Sequence, residues 1–236
     1  HEASFWDQFW TRSSVDNARR ATLTISADVA ATLLRGESVK RILDLGCGLG
    51  EVAMLMAERT NAEIVAADVS DNALTQAHEA IASADLSRRV FPVRADCYRL
   101  GFGDASFDAV MSFGYASAAS YEGAEYEVAR VLRPGGVAIV DFRNLSVYNT
   151  LLDPRAGWKI WRRYAHRDKV YHLGPIGLAE HFRPAGLLLE NVRYFNTYPP
   201  MGNRLQTEHY LRIERFGQRI GRALARVLAV KLRRIG

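Results

Sequence analysis

Short apolar runs alternate with longer amphipathic stretches along the first two thirds of the chain. Five of these runs have the length of buried strands, at residues 41–45, 63–68, 90–96, 107–113 and 137–142. The stretches between them have helical spacing, and Ser70 is placed to cap a helix from Asp71 to about residue 84. Strands that alternate with helices in this way predict a parallel α/β sheet with right-handed crossovers.

The two ends of the chain extend this pattern. An aromatic opening, F-W-D-Q-F-W, precedes a helical stretch at about residues 16–34, and R-P-G-G at residues 133–136 predicts a turn. The last third adds three predicted elements, a helix near 176–183, a strand at 187–195 and a helix at about 205–225. Residues 227–232 fit a closing strand or a continuation of that helix, and we favour the strand. The sequence therefore predicts a mostly parallel seven-stranded sheet with helices on both faces.

No repeat, low-complexity tract or linker divides the 236 residues, so we predict a single domain, 1–236. Its parts differ in sequence character: an N-terminal lid and helix at 1–39, a ligand-binding core at 40–143, an aromatic and basic insertion at 144–174, and closing helices and strands at 175–236.

Three glycines on alternate positions join the first predicted strand to a helix, in the segment K-R-I-L-D-L-G-C-G-L-G from Lys40 to Gly50. Glycine lets the backbone turn sharply and approach a ligand closely, and the helix presents its N-terminus to that ligand. A dinucleotide-binding loop has the spacing G-x-G-x-x-G. Gly46, Gly48 and Gly50 give G-x-G-x-G, and this shorter spacing argues against a bound diphosphate.

Acidic residues lie in or just after the first three predicted strands, where ligands bind on a parallel sheet. Asp44 precedes the first glycine by two residues, which suits a ligand with a zwitterionic amino-acid end. Asp68 is placed to accept both hydroxyls of a ribose, and Asp96 to accept from an exocyclic amine. A helix cap and a loop acid are the plainer roles of these last two residues.

Four motifs in this order resemble a class I S-adenosylmethionine-dependent methyltransferase: D-L-G-C-G-L-G, Asp68, R-A-D-C at residues 94–97, and L-R-P-G-G before a strand. The nearest subgroup is that of the ubiquinone/menaquinone-methyltransferase-like small-molecule enzymes, and the resemblance covers about residues 40–143. It implies a Rossmann-like fold, S-adenosyl-L-methionine as cofactor, and a substrate lid inserted after the fifth strand.

The resemblance also implies roles for individual residues. Asp44 and the glycines hold the methionine part of the cofactor, Asp68 holds the ribose, and Val69 packs on the adenine, whose edge Asp96 and Cys97 bracket. The expected cofactor-binding residues are Asp44, Gly46, Cys47, Gly48, Gly50, Asp68, Val69, Asp96, Cys97 and Ser112. Both cysteines are interpreted as packing residues without a reactive role.

Methyl transfer depends mainly on alignment and exclusion of water, because the sulfonium is already activated. A hydroxyl or carbon-acid acceptor also needs a base. The candidate catalytic residues are His172 and His166 in the insertion and Tyr115 after the fourth strand, with His181 and His209 ranked lower. A surface or structural role is the plainer explanation for each histidine. The sequence S-F-G-Y stands where DNA-base methyltransferases carry an asparagine-proline-proline-aromatic tetrad, so DNA is not the expected substrate.

The net charge of +5 is concentrated at the C-terminus, because nine Lys/Arg and two Asp/Glu follow from Asn203 onward. Arginines recur there at helical spacing, at positions 212, 215, 219, 222 and 226. A solvated helix face is the plain explanation, and contact with RNA or with a membrane surface is the alternative. The insertion at 144–174 predicts a small-molecule acceptor with a flat or apolar part and an acidic group. The opening aromatics form either a lid over the cofactor or a staple on the core.

Composition limits the function further. No apolar run approaches the roughly 20 residues that cross a bilayer, and no signal peptide precedes the first helix. Two cysteines provide neither a disulfide framework nor a metal site, so we expect a cytoplasmic protein without a metal. Nothing in the sequence indicates an oligomeric state. Three functions stay open: a methyltransferase for a lipid, quinone, sugar or secondary metabolite, an RNA methyltransferase, and a protein that binds the cofactor without methyl transfer.

Overall fold

The computed structural model of the chain describes residues 2–12, 17–114, 123–144, 175–195, 205–220, 225 and 227–236. The helices are α1 (Glu2–Arg12), α2 (Asn17–Leu33), α3 (Glu51–Arg59), α4 (Asp71–Ser83), α5 (Ala124–Val131), α6 (Pro175–Phe182) and α7 (Thr207–Ile220). The strands are β1 (Arg41–Leu45), β2 (Glu63–Asp68), β3 (Val90–Arg94), β4 (Phe107–Ser112), β5 (Leu132–Arg143), β6 (Leu187–Phe195) and β7 (Val227–Arg234). A short 3₁₀ helix, Arg183–Ala185, links α6 to β6.

The described strands form a seven-stranded sheet in the order β3-β2-β1-β4-β5-β7-β6. The pairs from β3 to β5 are parallel, and β7 runs antiparallel to both β5 and β6. The prediction of a mostly parallel seven-stranded sheet is confirmed. Residues 227–232 lie in strand β7, and since β7 lies between two other strands, consecutive residues from Leu228 to Leu232 are buried on both of its faces.

Helices cover both faces of the sheet, because successive strand residues point to opposite sides. Ile42 packs into a core with α2, α3, α4 and Tyr210 of α7. Leu43, the next residue, packs into a second core with α5 and α6. The loops at the carboxyl ends of β1 to β4 are therefore held between two packed layers.

Residues 133–136 do not form the expected turn, since they lie inside the long strand β5. The β4–β5 register shifts from Phe107↔Leu132 to Ala109↔Val137, so the extra residues form a bulge in β5. A Cβ at Gly136 would lie 2.9 Å from the carbonyl oxygen of Arg133. Glycine at position 136 therefore permits the close backbone packing of a bulge, and the turn prediction is wrong.

The aromatic opening is itself helical, as α1, whereas the sequence pattern had indicated a helix only from about residue 16. The third and fourth strands are shorter than expected and end at Arg94 and Ser112, which leaves Asp96 in the following loop. Residues 145–174, the core of the predicted lid insertion, lie outside the described residues.

Candidate functional site

A cavity of about 970 Å³ lies at the carboxyl ends of β1, β2, β3 and β4. Its floor is formed by the loops that follow these strands, and its outer wall by Trp6 and Phe9 of α1 and by Arg19, Thr22 and Leu23 of α2. The cavity lies at the edge of the sheet where ligands of parallel α/β proteins bind.

The glycine loop is fixed by backbone geometry. Gly46, Gly48 and Gly50 have φ of +74°, +54° and +76°, the left-handed region that favours glycine. The N–H groups of Gly46 and Cys47 donate to the carbonyl oxygen of Ala67, at 2.8 and 3.0 Å. Gly46, Cys47 and Gly48 line the cavity, whereas Gly50 lies behind it against Ala77 of α4. The loop therefore bends away from β1 and exposes its backbone to the cavity.

Asp68 ties the ends of β1 and β2 together. Its carboxylate accepts hydrogen bonds from the N–H of Gly48 at 2.8 Å and from the N–H of Ser70 at 2.9 Å. Burial raises the pKa of Asp68, and these backbone N–H groups partly offset that effect. Because a carboxylate has about four acceptor positions, Asp68 retains capacity to accept from a ligand in the cavity that it lines.

Asp44 is the most unusual group in the cavity wall. It is only 2% exposed, and its Oδ2 atom has no hydrogen-bond partner among the described residues. Burial and the nearby charge of Asp68 raise the pKa of Asp44 to about 7. A buried acceptor without a partner costs free energy, so this position suits a ligand that brings a positive charge. A zwitterionic amino-acid end with an ammonium group meets that requirement.

The far end of the cavity is formed by the loop after β3. Asp96 is exposed there and accepts a hydrogen bond from the N–H of Tyr98 at 3.0 Å, while Cys97 is buried. Val69, Asp96 and Cys97 all line the cavity. The structure thus brings these residues together in the cavity wall, with Asp68 between them and the glycine loop along the sheet.

Cys47 lines the same wall, and burial raises the pKa of its thiol well above the ordinary value. A protonated thiol is a weak nucleophile, so its expected packing role agrees with this environment. Ser112 is buried and does not line the cavity, although the following residues Phe113 and Gly114 do. Of the expected cofactor-binding residues, Gly50 and Ser112 are therefore the two that do not line the cavity.

The leading catalytic candidates, Tyr115, His166 and His172, lie outside the described residues. His181 is on α6 with its Nε2 atom 3.8 Å from Glu125, and His209 is exposed on α7. No histidine of the described segments lines the cavity. The same segments contain no cluster of His, Cys, Asp and Glu that could hold a metal ion.

Sequence reasoning missed the residues that α2 and α3 contribute. Arg19 and Glu51 face the cavity with Nη2 and Oε2 3.8 Å apart. These two residues reach the cavity wall because α2 packs across the start of α3. The one sequence signal for this was the position of Glu51, directly after the glycine loop.

Helix α1 covers the cavity with its aromatic side chains. Trp6 packs edge-to-face against Phe5 and Phe9, and Trp6 and Phe9 line the cavity. Oδ1 of Asp7 accepts a hydrogen bond from the hydroxyl of Ser70 at 2.5 Å, which fixes α1 to the start of α4. Of the two expectations for the opening aromatics, this arrangement favours the lid.

Comparison with known proteins identifies the kind of domain that contains this cavity. A family model described as a methyltransferase domain matches residues 42–136. The demethylmenaquinone methyltransferase of Thermus thermophilus is 40% identical over 113 residues, which cover 47% of this chain and 50% of that protein. Residues 42–136 therefore carry a methyltransferase domain. The resemblance inferred from the four sequence motifs is thereby confirmed.

Solved structures extend the fold of this methyltransferase domain over nearly the whole chain. Magnesium protoporphyrin IX methyltransferase from Synechocystis PCC 6803, with bound SAH, superposes with a TM-score of 0.62 at 13% identity and covers 98% of this chain and 93% of that one. The [4+2]-cyclase SpnF superposes with a TM-score of 0.64 at 19% identity and covers 90% and 82%. At these identities the likeness establishes the fold alone.

The chain spans about half the length of the first curated relative that it matches. No helix in the described segments is long and apolar enough to cross a membrane.

Proposed function

We propose that this protein transfers the methyl group of S-adenosylmethionine to a small-molecule acceptor. The observation that carries the proposal is the buried Oδ2 of Asp44, which has no hydrogen-bond partner among the described residues and lies beside a left-handed glycine loop in a large cavity. A diphosphate would place negative charge against this acid, whereas the ammonium of a methionine group compensates it. Curated relatives named demethylmenaquinone methyltransferase, 27-O-demethylrifamycin SV methyltransferase and sterol 24-C-methyltransferase support the same chemistry.

The proposed arrangement of the cofactor follows the order of the loops. The glycine loop and Asp44 would hold the methionine end, Asp68 the ribose hydroxyls, and Val69, Asp96 and Cys97 the adenine. The cofactor supplies an activated methyl group. Methyl transfer from the bound cofactor to an acceptor would leave S-adenosylhomocysteine, and the proton of the acceptor would pass to a base or to solvent.

The walls outside the loops support an acceptor with an apolar or aromatic part. Trp6, Phe9, Leu23 and Phe113 line the cavity, and such side chains favour flat or apolar groups. Helix α1 would exclude water once both ligands are bound, since it is fixed to α4 through Asp7. Positioning and exclusion of water are the contributions that we assign to this chain.

Isothermal titration tests the proposal at the level of the cofactor. S-adenosylmethionine and S-adenosylhomocysteine should bind, and NAD⁺ should not. Asp68→Asn should weaken the binding of both sulfur-containing ligands. Tight NAD⁺ binding without a response to the two sulfur ligands would refute the proposal. Incubation with methyl-labelled cofactor and a cell extract, followed by identification of the labelled product, then tests methyl transfer itself.

A binding or non-methyl role on the same fold is the second candidate, and it has a specific precedent. SpnF is named as a [4+2]-cyclase and shares the fold of this chain. Cofactor binding in the titration without label transfer from any extract fraction would favour this candidate. Salt-sensitive binding of RNA, reduced by substituting the basic residues of α7, would instead favour an RNA acceptor.

We also propose that α7 contacts an anionic membrane surface, from which an apolar acceptor would enter the cavity. One side of α7 is buried through Tyr210, Glu214 and Gly217. Outside this buried side, Phe216 is 65% exposed and Ile213 is 38% exposed. Arg212 and Arg215 are exposed beside them. Apolar residues flanked by cations are the pattern of helices that lie in a lipid interface, and this combination favours lipid over RNA.

Vesicle co-sedimentation tests this contact. Vesicles containing phosphatidylglycerol should bind the protein and neutral phosphatidylcholine vesicles should not. Because a cation near an anionic surface contributes about 1 kcal/mol, Arg212→Gln with Arg215→Gln should reduce partitioning roughly tenfold or more, and Phe216→Ser should reduce it at any salt concentration. The matched controls are Arg35→Gln with Arg88→Gln, and Tyr126→Ser on α5, at sites that are also exposed. Equal binding by all variants would refute the membrane contact.

A further inference from the structure

The amino-acid end of the proposed cofactor carries two charges, an ammonium and a carboxylate, and the residues assigned so far account for one of them. Asp44 compensates the ammonium, while the carboxylate needs a cation. Among the described residues that line the cavity, the arginines are Arg19, Arg94 and Arg99. Their positions relative to the glycine loop decide which of them can reach the carboxylate.

Arg94 and Arg99 belong to the opposite end of the cavity. Arg94 ends β3, and its Nε atom lies 3.4 Å from Asp71 at the start of α4. Arg99 lies in the loop after β3, where its N–H donates to the carbonyl oxygen of Asp96. In the sheet, β2 separates β3 from β1 and its glycine loop. Both arginines are therefore at the proposed adenine end.

Arg19 lies at the methionine end. Its Nη2 atom is 3.8 Å from Oε2 of Glu51, the residue that directly follows Gly50 and begins α3. The side chains of Arg19 and Glu51 are 27% and 23% exposed, so the pair lies partly sheltered in the cavity wall. Helix α2 packs on α3 through buried residues such as Ala21 and Ile25, which fixes the position of Arg19 over the start of α3.

We propose that Arg19 binds the carboxylate of the cofactor's methionine group and that Glu51 positions the guanidinium for it. This inference rests on the proposed function. A guanidinium is planar and has five N–H donors, so it can face a carboxylate in a two-point contact and still pair with Glu51. The N-terminus of α3 adds favourable charge for an anion at the same place. Asp44 and Arg19 would then select a zwitterion, one charge each.

This assignment predicts selectivity between cofactor-derived ligands. S-adenosylhomocysteine has the amino-acid end, whereas 5′-methylthioadenosine has the same adenosine and sulfur without it. Arg19 should contribute to binding of the first ligand and not of the second. A residue that merely supports the cavity wall would affect both equally, and a residue that binds only the acceptor would affect neither.

The test is isothermal titration of both ligands into the wild-type protein and three variants. Arg19→Gln should raise the Kd of S-adenosylhomocysteine roughly ten- to a hundredfold, the usual loss for a hydrogen bond to a charged group, and should leave the Kd of 5′-methylthioadenosine unchanged. Arg19→Lys should give an intermediate Kd, since it keeps the charge but loses the planar contact. Arg99→Gln is the matched control and should not distinguish the two ligands.

Each other outcome is informative. An unchanged Kd for S-adenosylhomocysteine in Arg19→Gln, or an equal loss for both ligands, overturns the assignment of Arg19. Absence of S-adenosylhomocysteine binding to the wild-type protein overturns the proposed function itself. The 5′-methylthioadenosine titration also reports that the variant is folded, so the two failures are distinguishable.

Discussion

Asp44 is expected to reduce the stability of the free protein while it provides binding energy for the cofactor. Asp44→Asn separates these effects, because it keeps the shape of the side chain and removes its charge. The carboxyl is fully buried, and its pKa is raised from the ordinary 3.8 to about 7, first by burial and then by the charge of Asp68. The folded protein therefore binds this proton more tightly than the unfolded chain does.

The sign of the stability effect follows from that difference. At pH values below 3.8 the group is neutral in both states and costs nothing. As the pH rises towards 7 the unfolded chain releases the proton first, so the stability of the folded state falls, and the loss levels off above pH 7. At about 1.36 kcal/mol for each tenfold difference in proton affinity, the full cost is about 4 kcal/mol, most of which develops by neutral pH.

Urea unfolding at several pH values measures this cost. Asp44→Asn should be more stable than the wild-type protein at pH 8, and its advantage should grow by about 2 to 3 kcal/mol between pH 5 and pH 8. Asp68→Asn is a useful control, because its carboxylate accepts hydrogen bonds from two backbone N–H groups. The amide introduced by this substitution keeps one acceptor oxygen and places its NH2 group against the other backbone N–H, which should make Asp68→Asn less stable than the wild-type protein at pH 8.

Ligand binding should change in the opposite direction. Loss of a buried charge partner costs about 2 kcal/mol or more, so Asp44→Asn should bind S-adenosylhomocysteine at least roughly 30-fold more weakly. In the wild-type protein the affinity should fall as the pH drops below 7, because Asp44 must lose its proton to pair with an ammonium group. A variant that is less stable than the wild type at pH 8, or that binds the ligand with unchanged affinity, would refute this reasoning.

Two further predictions concern the elements around the cavity. Gly50→Ala should destabilise the fold by about 1 to 3 kcal/mol, because φ is +76° and the new Cβ would lie 3.3 Å from Cβ of Ala77. Gly36→Ala is the control and should cost less, since Gly36 has φ +82° but its new Cβ would have no atom within 4 Å. Equal losses of stability in urea unfolding would contradict the steric argument. Asp7→Ala should speed hydrogen exchange in α1 severalfold without affecting β1, because the hydrogen bonds from Ser70 and Asn72 to its carboxylate are lost. Unchanged exchange in α1 would show that the aromatic side chains alone keep α1 over the cavity.

The central part of the fold was predictable because its signals are local. Each strand from β1 to β4 is a short apolar run, and Ser70 caps α4 as expected, its hydroxyl accepting from the N–H of Ala73. Helix α1 and the bulge in β5 were missed for a common reason. An aromatic segment has no clear helical period, and R-P-G-G satisfies turn chemistry equally well inside a bulged strand.

The candidate site likewise contains residues that the sequence could predict and residues that it could not. Asp44 and Asp68 lie near the ends of strands, and Asp96 and the glycine loop follow strands. Strand order alone therefore brings them to one edge, and the roles assigned to them stay predictions. Arg19 and Glu51 are 32 residues apart in the chain and meet because α2 packs on α3. No periodic pattern in the sequence indicates the contact between these two residues.

By itself the sequence determined the parallel core, the glycine loop and the motifs of a methyltransferase domain, because these depend on residue type at fixed spacing along one segment. The tertiary structure decided which charges face one another in the cavity. Burial removes water from Asp44, and one of its oxygens has no hydrogen-bond partner in the part of the chain that the structure describes. The packing of α2 on α3 brings a guanidinium to the start of α3. Both effects are set by distances through space, which a linear pattern does not contain.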